Sequence, residues 1–566
     1  MLNSNYQPYL ESLDKLGFCS FSVFEAEEID KLSLLYQANF GEKAIAEMYA
    51  SHNSNPVALS LQISSEIKKI VADKLSTVFD GYEFFIGHFM VKGAMNEKEF
   101  SLHQDWNIVD ESKYKSYQVW IPLDITYPAN GGMFVVPGSH RFFGNHRSGS
   151  YGIPVVRSDE KTDSLITDVI IPAGDVLVYH NGLFHGSYPN TTSRARIAVI
   201  VNFVQKEAPT YYFHHNKKQK RTDLFKIDGE TLLCNLPQLE KGIIHPDIPH
   251  VGSLPENLVE NFSIDSDELA KAYRELVGSV DGAQIKQLPI LHHKGIESEL
   301  HKKGYTVVDL LSKQEIDLFR NEYKFRFGSI DRSPGRFTTL QDTNSQIKKE
   351  VHEFIVANIE EALATYFSDF VIPVSQFYTK KAHTSGDIDL HADSTLLLNH
   401  QLEPHYAIWI PLVDVDEKNG TLTVVPYSHK VKGAFFGAAI GGGYHHEHMD
   451  WLRGSEVPLR LKAGQAVIFD NNLLHNSTAN ITDEDRLCFT FRITHKQSTY
   501  YSFFSEDPRK NEFSVFQEKQ DYYMAENWDG DNKRPTGRYA GTLKNSITQI
   551  DKENLKKILK LSQIHG

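Results

Sequence analysis

Two rhythms of apolar residues run through this chain, and each occurs twice. From Glu25 to Tyr36 the apolar residues Ile29, Leu32 and Leu35 return every three or four positions, the spacing of one helix face, and the preceding Phe18 to Val23 reads as a strand. Far downstream the order returns. Ile296 to Gly304 stands where Tyr9 to Gly17 stood, and Tyr305 to Leu311 is again strand-like. Ser312-Lys-Gln-Glu315 then forms a capping box opening a helix through Tyr323, each of the two side chains satisfying the other residue's backbone N–H. Ser65 to Lys69 and Ser345 to Lys349 each lie within a longer amphipathic helical pattern. Elsewhere the period shortens: Ile170 to Tyr179 has a turn at Ala173-Gly174 and an apolar run typical of a buried strand, with a polar exit at His180-Asn181-Gly182.

The repetition extends to the residues most able to do chemistry. His391-Ala392-Asp393 lies 288 positions after His103-Gln104-Asp105, and His475-Asn476-Ser477 lies 290 after His185-Gly186-Ser187. Val119 to Asp124 corresponds to Ile408 to Val413, Asn130 to His140 to Asn419 to His429, and Ala173 to Tyr179 to Ala463 to Phe469. The expected architecture is therefore mainly β with flanking helices: two tandem double-stranded β-helix (jelly-roll, cupin-like) domains, 1–288 and 289–566. The junction is placed to within about ten residues, after the Pro- and His-rich Leu236 to Pro255 and a helical Ser263 to Gly278.

Composition narrows the setting. At 566 residues the chain exceeds what one core usually supports, and 40% hydrophobic with 23% charged residues argues for packed globular domains. A net charge of −14 disfavours a general nucleic-acid surface. Cys19, Cys234 and Cys488 are far apart and lack disulfide or metal spacing, so a cytoplasmic location is expected. Met1 to Tyr6 lacks the basic-then-apolar pattern of a secretory signal, and no apolar run approaches the roughly 20 residues of a membrane span. The duplication itself, an internal pseudo-dimer, is compatible with either a monomer or a homo-oligomer.

Side chains alternate across a strand, so on an extended segment His103 and Asp105 face one point; His185, from a neighbouring strand, adds a third ligand. Two imidazoles and one carboxylate leave open positions on an octahedral metal and suit non-heme Fe(II) that activates oxygen beside a chelating cosubstrate. His391, Asp393 and His475 repeat the set. Such a cosubstrate, if a dicarboxylate, needs its distant carboxylate neutralised, and an arginine stands eleven residues after each distal histidine, Arg196 and Arg486. Arg194 has Glu484 at the matching place and reads as a surface charge, while Ser187 and Ser477 could add a hydroxyl to the carboxylate or serve only the strand end.

These residues, with Val135 to His140 and Val424 to His429, resemble the phytanoyl-CoA dioxygenase family of Fe(II)- and 2-oxoglutarate-dependent oxygenases, twice over. The resemblance implies that His103, Asp105, His185, His391, Asp393 and His475 bind iron and that Arg196, Ser187, Arg486 and Ser477 hold 2-oxoglutarate. It implies O2 as the other cosubstrate, and an oxidation coupled to decarboxylation of 2-oxoglutarate to succinate. Trp120 and Trp409 look like the family's cosubstrate-pocket tryptophan and serve equally well as core. Lys92 and Lys380, eleven residues before each first histidine, are expected to be exposed strand lysines, with a pocket role as the alternative. Relatives that halogenate lack the carboxylate, so Asp105 and Asp393 favour hydroxylation or further oxidation over halogenation; no broad basic run offers a dock for coenzyme A or a carrier protein, and a small metabolite in a biosynthetic pathway is the expected substrate.

Other features are weaker. Tyr444-His-His-Glu-His448 follows a glycine-rich insertion, Gly433 to Gly443, without a glycine-rich counterpart in the first copy, and reads as a loop over the second site rather than a further metal cluster. Tyr211 to Phe213 and Tyr500 to Phe503 are expected in the core. Two working sites on a small-molecule substrate form the leading reading. One catalytic domain with a scaffold domain is the second, and a non-catalytic iron and 2-oxoglutarate sensor the third. Substrate choice is expected to lie in Phe142 to Asp168 and Val431 to Leu459.

Overall fold

A computed structural model describes residues 6–41, 48–53, 56–152, 155–156, 159–255, 263–277, 288–328, 335–342, 344–384, 388–399, 402–430, 452, 454–507, 510, 512–524 and 534–544. It divides into two compact units, 1–287 and 288–566. Each is a double-stranded β-helix with helices at its start.

In the first unit the larger sheet has six strands in the order Phe18–Ser22, Asp175–His180, Ser116–Pro122, Arg196–Gln205, Tyr82–Lys92 and Met48–Ala50. The smaller sheet runs Ser263–Ile264, Val155–Val156, Phe100–His103, His185–Ser187, Met133–Val135 and Thr167–Val169. The second unit repeats this order with Tyr305–Asp309, Gln465–Asp470, His405–Pro411, Arg486–His495, Ser375–Lys380 and Arg336–Thr338 in one sheet, to which Phe370–Val371 adds a seventh strand beside Arg486–His495. The other holds Ile388–His391, His475–Ser477, Leu422–Val424 and Val457–Pro458. Each unit adds a three-stranded antiparallel sheet after its last long strand. Tyr212, Phe213, Tyr500, Tyr501 and Phe503 on these added sheets are buried, as expected of core aromatics, whereas Tyr211 is half-buried.

Alternation along the strands explains the layering. On His405–Pro411, Tyr406, Ile408 and Ile410 face the helix Ser345–Leu363, whose Val351, Ile355, Ile359 and Leu363 recur at i, i+4 and are fully buried. Each such side chain contributes about 1.5–3 kcal/mol over leaving it in water. Ala407 and Trp409 on the opposite face pack with Leu422 and Val424 of the smaller sheet. The matching helix of the first unit, Val57–Val78, begins two turns ahead of Ser65, whereas Ser345 is the first residue of its helix, capped by Asn344. The capping box at Ser312 and Glu315 is present, and its helix runs Lys313–Phe327.

The duplicated Ser-His pairs, Ser139-His140 and Ser428-His429, tie the first helix of each unit to the distal histidine's strand. Ser139 Oγ accepts from the Phe184 N–H and Ser428 Oγ from the Leu474 N–H, both at 2.8 Å. The following histidines pack on the left-handed glycines that end those helices, Gly17 and Gly304 (φ +81° and +87°), where a Cβ would lie 2.4–2.5 Å from imidazole Nδ1.

Candidate metal and cosubstrate sites

The ligand strands meet through register. His185 is the cross-strand partner of His103, and His475 of His391. The strand holding the first ligand stops at the histidine, at His103 and at His391. Asp105 and Asp393 therefore lie beyond a strand end, and alternation along an extended segment is not what aims them. At Asp105 the loop after Asp175–His180 replaces the ladder: the Asp105 N–H donates to Asn181 O at 2.9 Å, and Arg147 Nε donates to Asp105 O at 2.6 Å. Arg147 is fully buried and bonds both Glu111 oxygens at 2.8 Å. In the second unit the Asn471 side chain bonds the Asp393 and Ser394 carbonyls.

His103, Asp105 and His185 bring one donor atom each within 4.8 Å of one another, and so do His391, Asp393 and His475. Nε2 of His103 and His185 lie 3.7 and 3.8 Å from the Asp105 carboxylate; those of His391 and His475 lie 4.0 and 3.7 Å from Asp393. The Nδ1 atoms of His103, His185 and His475 sit 2.9 Å from the backbone carbonyls of Ser101, Leu183 and Leu473. A proton held there leaves the Nε2 lone pair facing the cluster, the state a metal ligand needs. Burial, helped by His185, pushes His103 down to about 4; burial pushes His475 to about 4 against the pull of Asp393. Burial opposes ionisation of Asp393, yet Arg492 first and then the histidines hold its carboxyl below the usual range. The donor sets fit a divalent metal of borderline character.

Beside each triad lies a buried cationic seat. Arg196 and Lys92 are cross-strand partners, as are Arg486 and Lys380. Both lysines are fully buried, so the expectation of exposed strand lysines is corrected: each side chain reaches from the larger sheet to the serine strand of the smaller one, and its ammonium is satisfied there. Lys92 Nζ donates to Ser187 Oγ, Ser187 O and Tyr188 O at 2.8, 3.1 and 2.6 Å; Lys380 Nζ donates to Ser477 Oγ, Ser477 O and Thr478 O at 2.8, 3.3 and 2.6 Å. Gly131 and Gly420 (φ +82° and +88°) make room for these stems, since a Cβ would lie 2.7–2.8 Å from lysine Cδ.

The Arg196 guanidinium sits 5.3 Å over Trp120, and Arg486 sits 5.4 Å over Trp409 and Tyr378. Trp120 and Trp409 thus pack in the core and border the arginine at once. Nε of both arginines is buried without a partner, and burial lowers Arg196 to about 10. A buried guanidinium with an unused donor, beside a buried ammonium, fits a carboxylate. Arg194, 81% exposed and near Asp124, is a surface charge.

The two sites differ along the strand that carries the arginine. Arg486, Cys488, Thr490 and Arg492 share one face, with Arg486 Nη1 2.7 Å from Cys488 Sγ; the first unit has Arg196, Ala198, Ile200 and Asn202 there. Arg492 Nη2 reaches Asp393 Oδ2 at 2.6 Å, a charge contact without hydrogen-bond alignment. Sequence reading overlooked Arg147 and Arg492. For Arg492, comparing the two copies beyond the matched arginines exposes the change; for Arg147 no local pattern does. Gly433 to Gly443 and Tyr444 to His448 lie outside the described residues.

The family model described as phytanoyl-CoA dioxygenase matches residues 37–198 and 300–488. The phytanoyl-CoA dioxygenase domain-containing protein 1 of Danio rerio is 29% identical over 142 residues, and that of Rattus norvegicus 26% over 138, each covering 23% of this chain and 47% of the relative. The chain spans about half the length of the curated relatives it matches. Among solved structures, the non-heme alpha-ketoglutarate-dependent epimerase SnoN from nogalamycin biosynthesis aligns over 37% of this chain and 84% of its own, with 19% identity and a TM-score of 0.29.

Proposed function

The chain belongs to the phytanoyl-CoA dioxygenase family, and on that premise we propose that it is an Fe(II)- and 2-oxoglutarate-dependent dioxygenase with two facial-triad sites that hydroxylates, or further oxidises, a small metabolite in a biosynthetic pathway. The observation that carries this reading is the recurrence of one constellation: a His–Asp–His set beside a buried arginine, a lysine-held serine and a tryptophan. In it, His103, Asp105 and His185 hold one iron, and His391, Asp393 and His475 the other. Bound iron supplies the redox chemistry that couples decarboxylation of 2-oxoglutarate by O2 to oxidation of a C–H bond.

The protein's residues bind and orient. Arg196 and Arg486 take the distant carboxylate of 2-oxoglutarate, their planar forks matching its two oxygens. Lys92 and Lys380 add charge and, by donating to the serine oxygen, turn the hydroxyl proton of Ser187 and Ser477 toward the same carboxylate. The backbone-bonded Nδ1 atoms hold the imidazoles in one tautomer. Buried walls such as Val135, the cross-strand partner of His185, and Trp120, under Arg196, exclude water from the reacting centre.

The test is succinate formation, dependent on iron, 2-oxoglutarate and oxygen, across a metabolite library read by mass spectrometry, for wild type, His103→Ala and His391→Ala. Loss of a different mass step in each variant is the expected result. Succinate release that no metabolite stimulates, with both triads binding metal, would sink the catalytic reading in favour of a sensor. The second reading, a single turnover site beside a scaffold domain, draws on one observation, the Arg492 contact to Asp393.

A further inference from the structure

The two triads match in ligand type and spacing, so a difference in what they hold must come from their surroundings. At the first, charge contacts to the Asp105 carboxylate among the described residues come from His103 and His185, both ligands themselves. At the second, a guanidinium that is not a ligand reaches the carboxylate at 2.6 Å. The position is not a matter of rotamer alone. Arg492 occupies the strand position of Asn202, six residues beyond the matched arginine in each copy, and alternation puts it on the same inward face as Arg486. Its backbone is pinned, its N–H donating to Val374 O at 3.0 Å, and its side chain is only 14% exposed, so the charge has little water to screen it.

A divalent ion at a triad is held by one negative charge and two neutral imidazoles. Adding a fixed positive charge against the triad's carboxylate opposes a second cation there and crowds one of the carboxylate oxygens. Two further differences act in the same direction. The His391 imidazole is 32% exposed where that of His103 is 6% exposed, so water has readier access to the second donor set. Gln104, whose Nε2 donates to Gly182 O at 2.7 Å and ties the first ligand segment to the loop before His185, is Ala392 in the second copy.

Resting on the reading of both triads as divalent-metal sites, we propose that Arg492 makes the pair unequal: the first triad is the high-affinity site, and the second binds the same metal at least about tenfold more weakly. The first unit is then the one loaded when metal is scarce. Removing the guanidinium brings the second site toward the first, and placing it at Asn202 brings the first toward the second.

Anaerobic titration of the full chain with Co2+ as probe, followed by ligand-field absorption, measures this without turnover. The expected wild-type isotherm has two classes of site, the tight one lost in His103→Ala and the weak one in His391→Ala. Arg492→Asn should tighten the weak class by about tenfold or more, and Asn202→Arg should weaken the tight class by a similar factor. Thermal melts by circular dichroism establish that each variant is folded; if Arg492→Asn is not, Asn202→Arg asks the same question at the other triad. Two classes of equal affinity, or a tight class lost in His391→Ala, would overturn the inequality while leaving both metal sites standing. Absence of Co2+ binding that depends on His103 or His391 would overturn the metal reading itself.

Discussion

Asp105 and Asp393 stand at the same place in two copies of one fold and are held by different means. Asp105 is positioned through its backbone, by Asn181 and by a buried arginine whose charge goes to Glu111; Asp393 meets an arginine at the carboxylate itself. The two arginines teach where duplicated sites drift apart. Arg147 fixes geometry and leaves the carboxylate's charge free, whereas Arg492 alters that charge and leaves the donor spacing nearly unchanged. Identity of ligands therefore does not make the sites equivalent, because affinity depends on the charges around the donors as much as on the donors.

The largest test of this comparison concerns the cosubstrate seats. Arg196→Ala should weaken 2-oxoglutarate binding at the first site about 100-fold, within the roughly 2–5 kcal/mol that loss of a buried, hydrogen-bonded charge partner costs. Arg486→Ala should do the same at the second, measured by equilibrium dialysis of metal-loaded protein carrying one intact triad. An effect at one seat only would show that the seats, too, have diverged.

Next in size is Arg147→Ala, which strips the Asp105 carbonyl of a donor and leaves Glu111 partly buried without its partner. It should destabilise the first unit by about 2–3 kcal/mol in urea unfolding, the transition of the second unit staying where it was. Equal shifts in both transitions would mean the units do not unfold independently.

A smaller contrast lies in the turn before each Ser-His pair. Gly138 and Tyr427 both have positive φ, +79° and +71°, a conformation that costs an L side chain about 1–2 kcal/mol. Gly138→Ala should lower the stability of the first unit by about 1 kcal/mol, and Tyr427→Gly should leave the second unchanged or slightly more stable. A large loss in Tyr427→Gly would instead reveal that the tyrosine ring makes contacts worth more than the strain.

The smallest effect is a pH dependence at the first site. Burial, and then Arg196, lower Lys92 to about 7, so in the free protein its charge is present below that pH and lost above it. A carboxylate ligand favours the ammonium and raises its pKa. Affinity for 2-oxoglutarate should therefore be greatest below about 7 and fall several-fold as pH rises past it, with proton uptake on binding, read by calorimetry in buffers of differing ionisation enthalpy. Lys92→Met should flatten the profile. An unchanged profile in that variant would assign the pH dependence to another group.

How much could be read without coordinates follows from the range over which each feature is encoded. The duplication, the jelly-roll pattern, both His–Asp–His sets and the paired arginines are local: periods of two and about 3.6 residues and equal spacings in two copies report them directly. Other features depend on partners far along the chain. A lysine at a strand end reads as exposed until Ser187 and Tyr188, some 95 residues on, are seen closing over Lys92. The aim of Asp105 is set by Asn181 and Arg147 rather than by strand alternation, and the meeting of Arg492 with Asp393 across 99 positions exists only once the two sheets face each other. Sequence determined which donors this protein owns, because composition and period are properties of the chain. Tertiary structure decided what charge each donor feels, because Coulomb interactions fall off with distance in space and take no account of separation along the backbone.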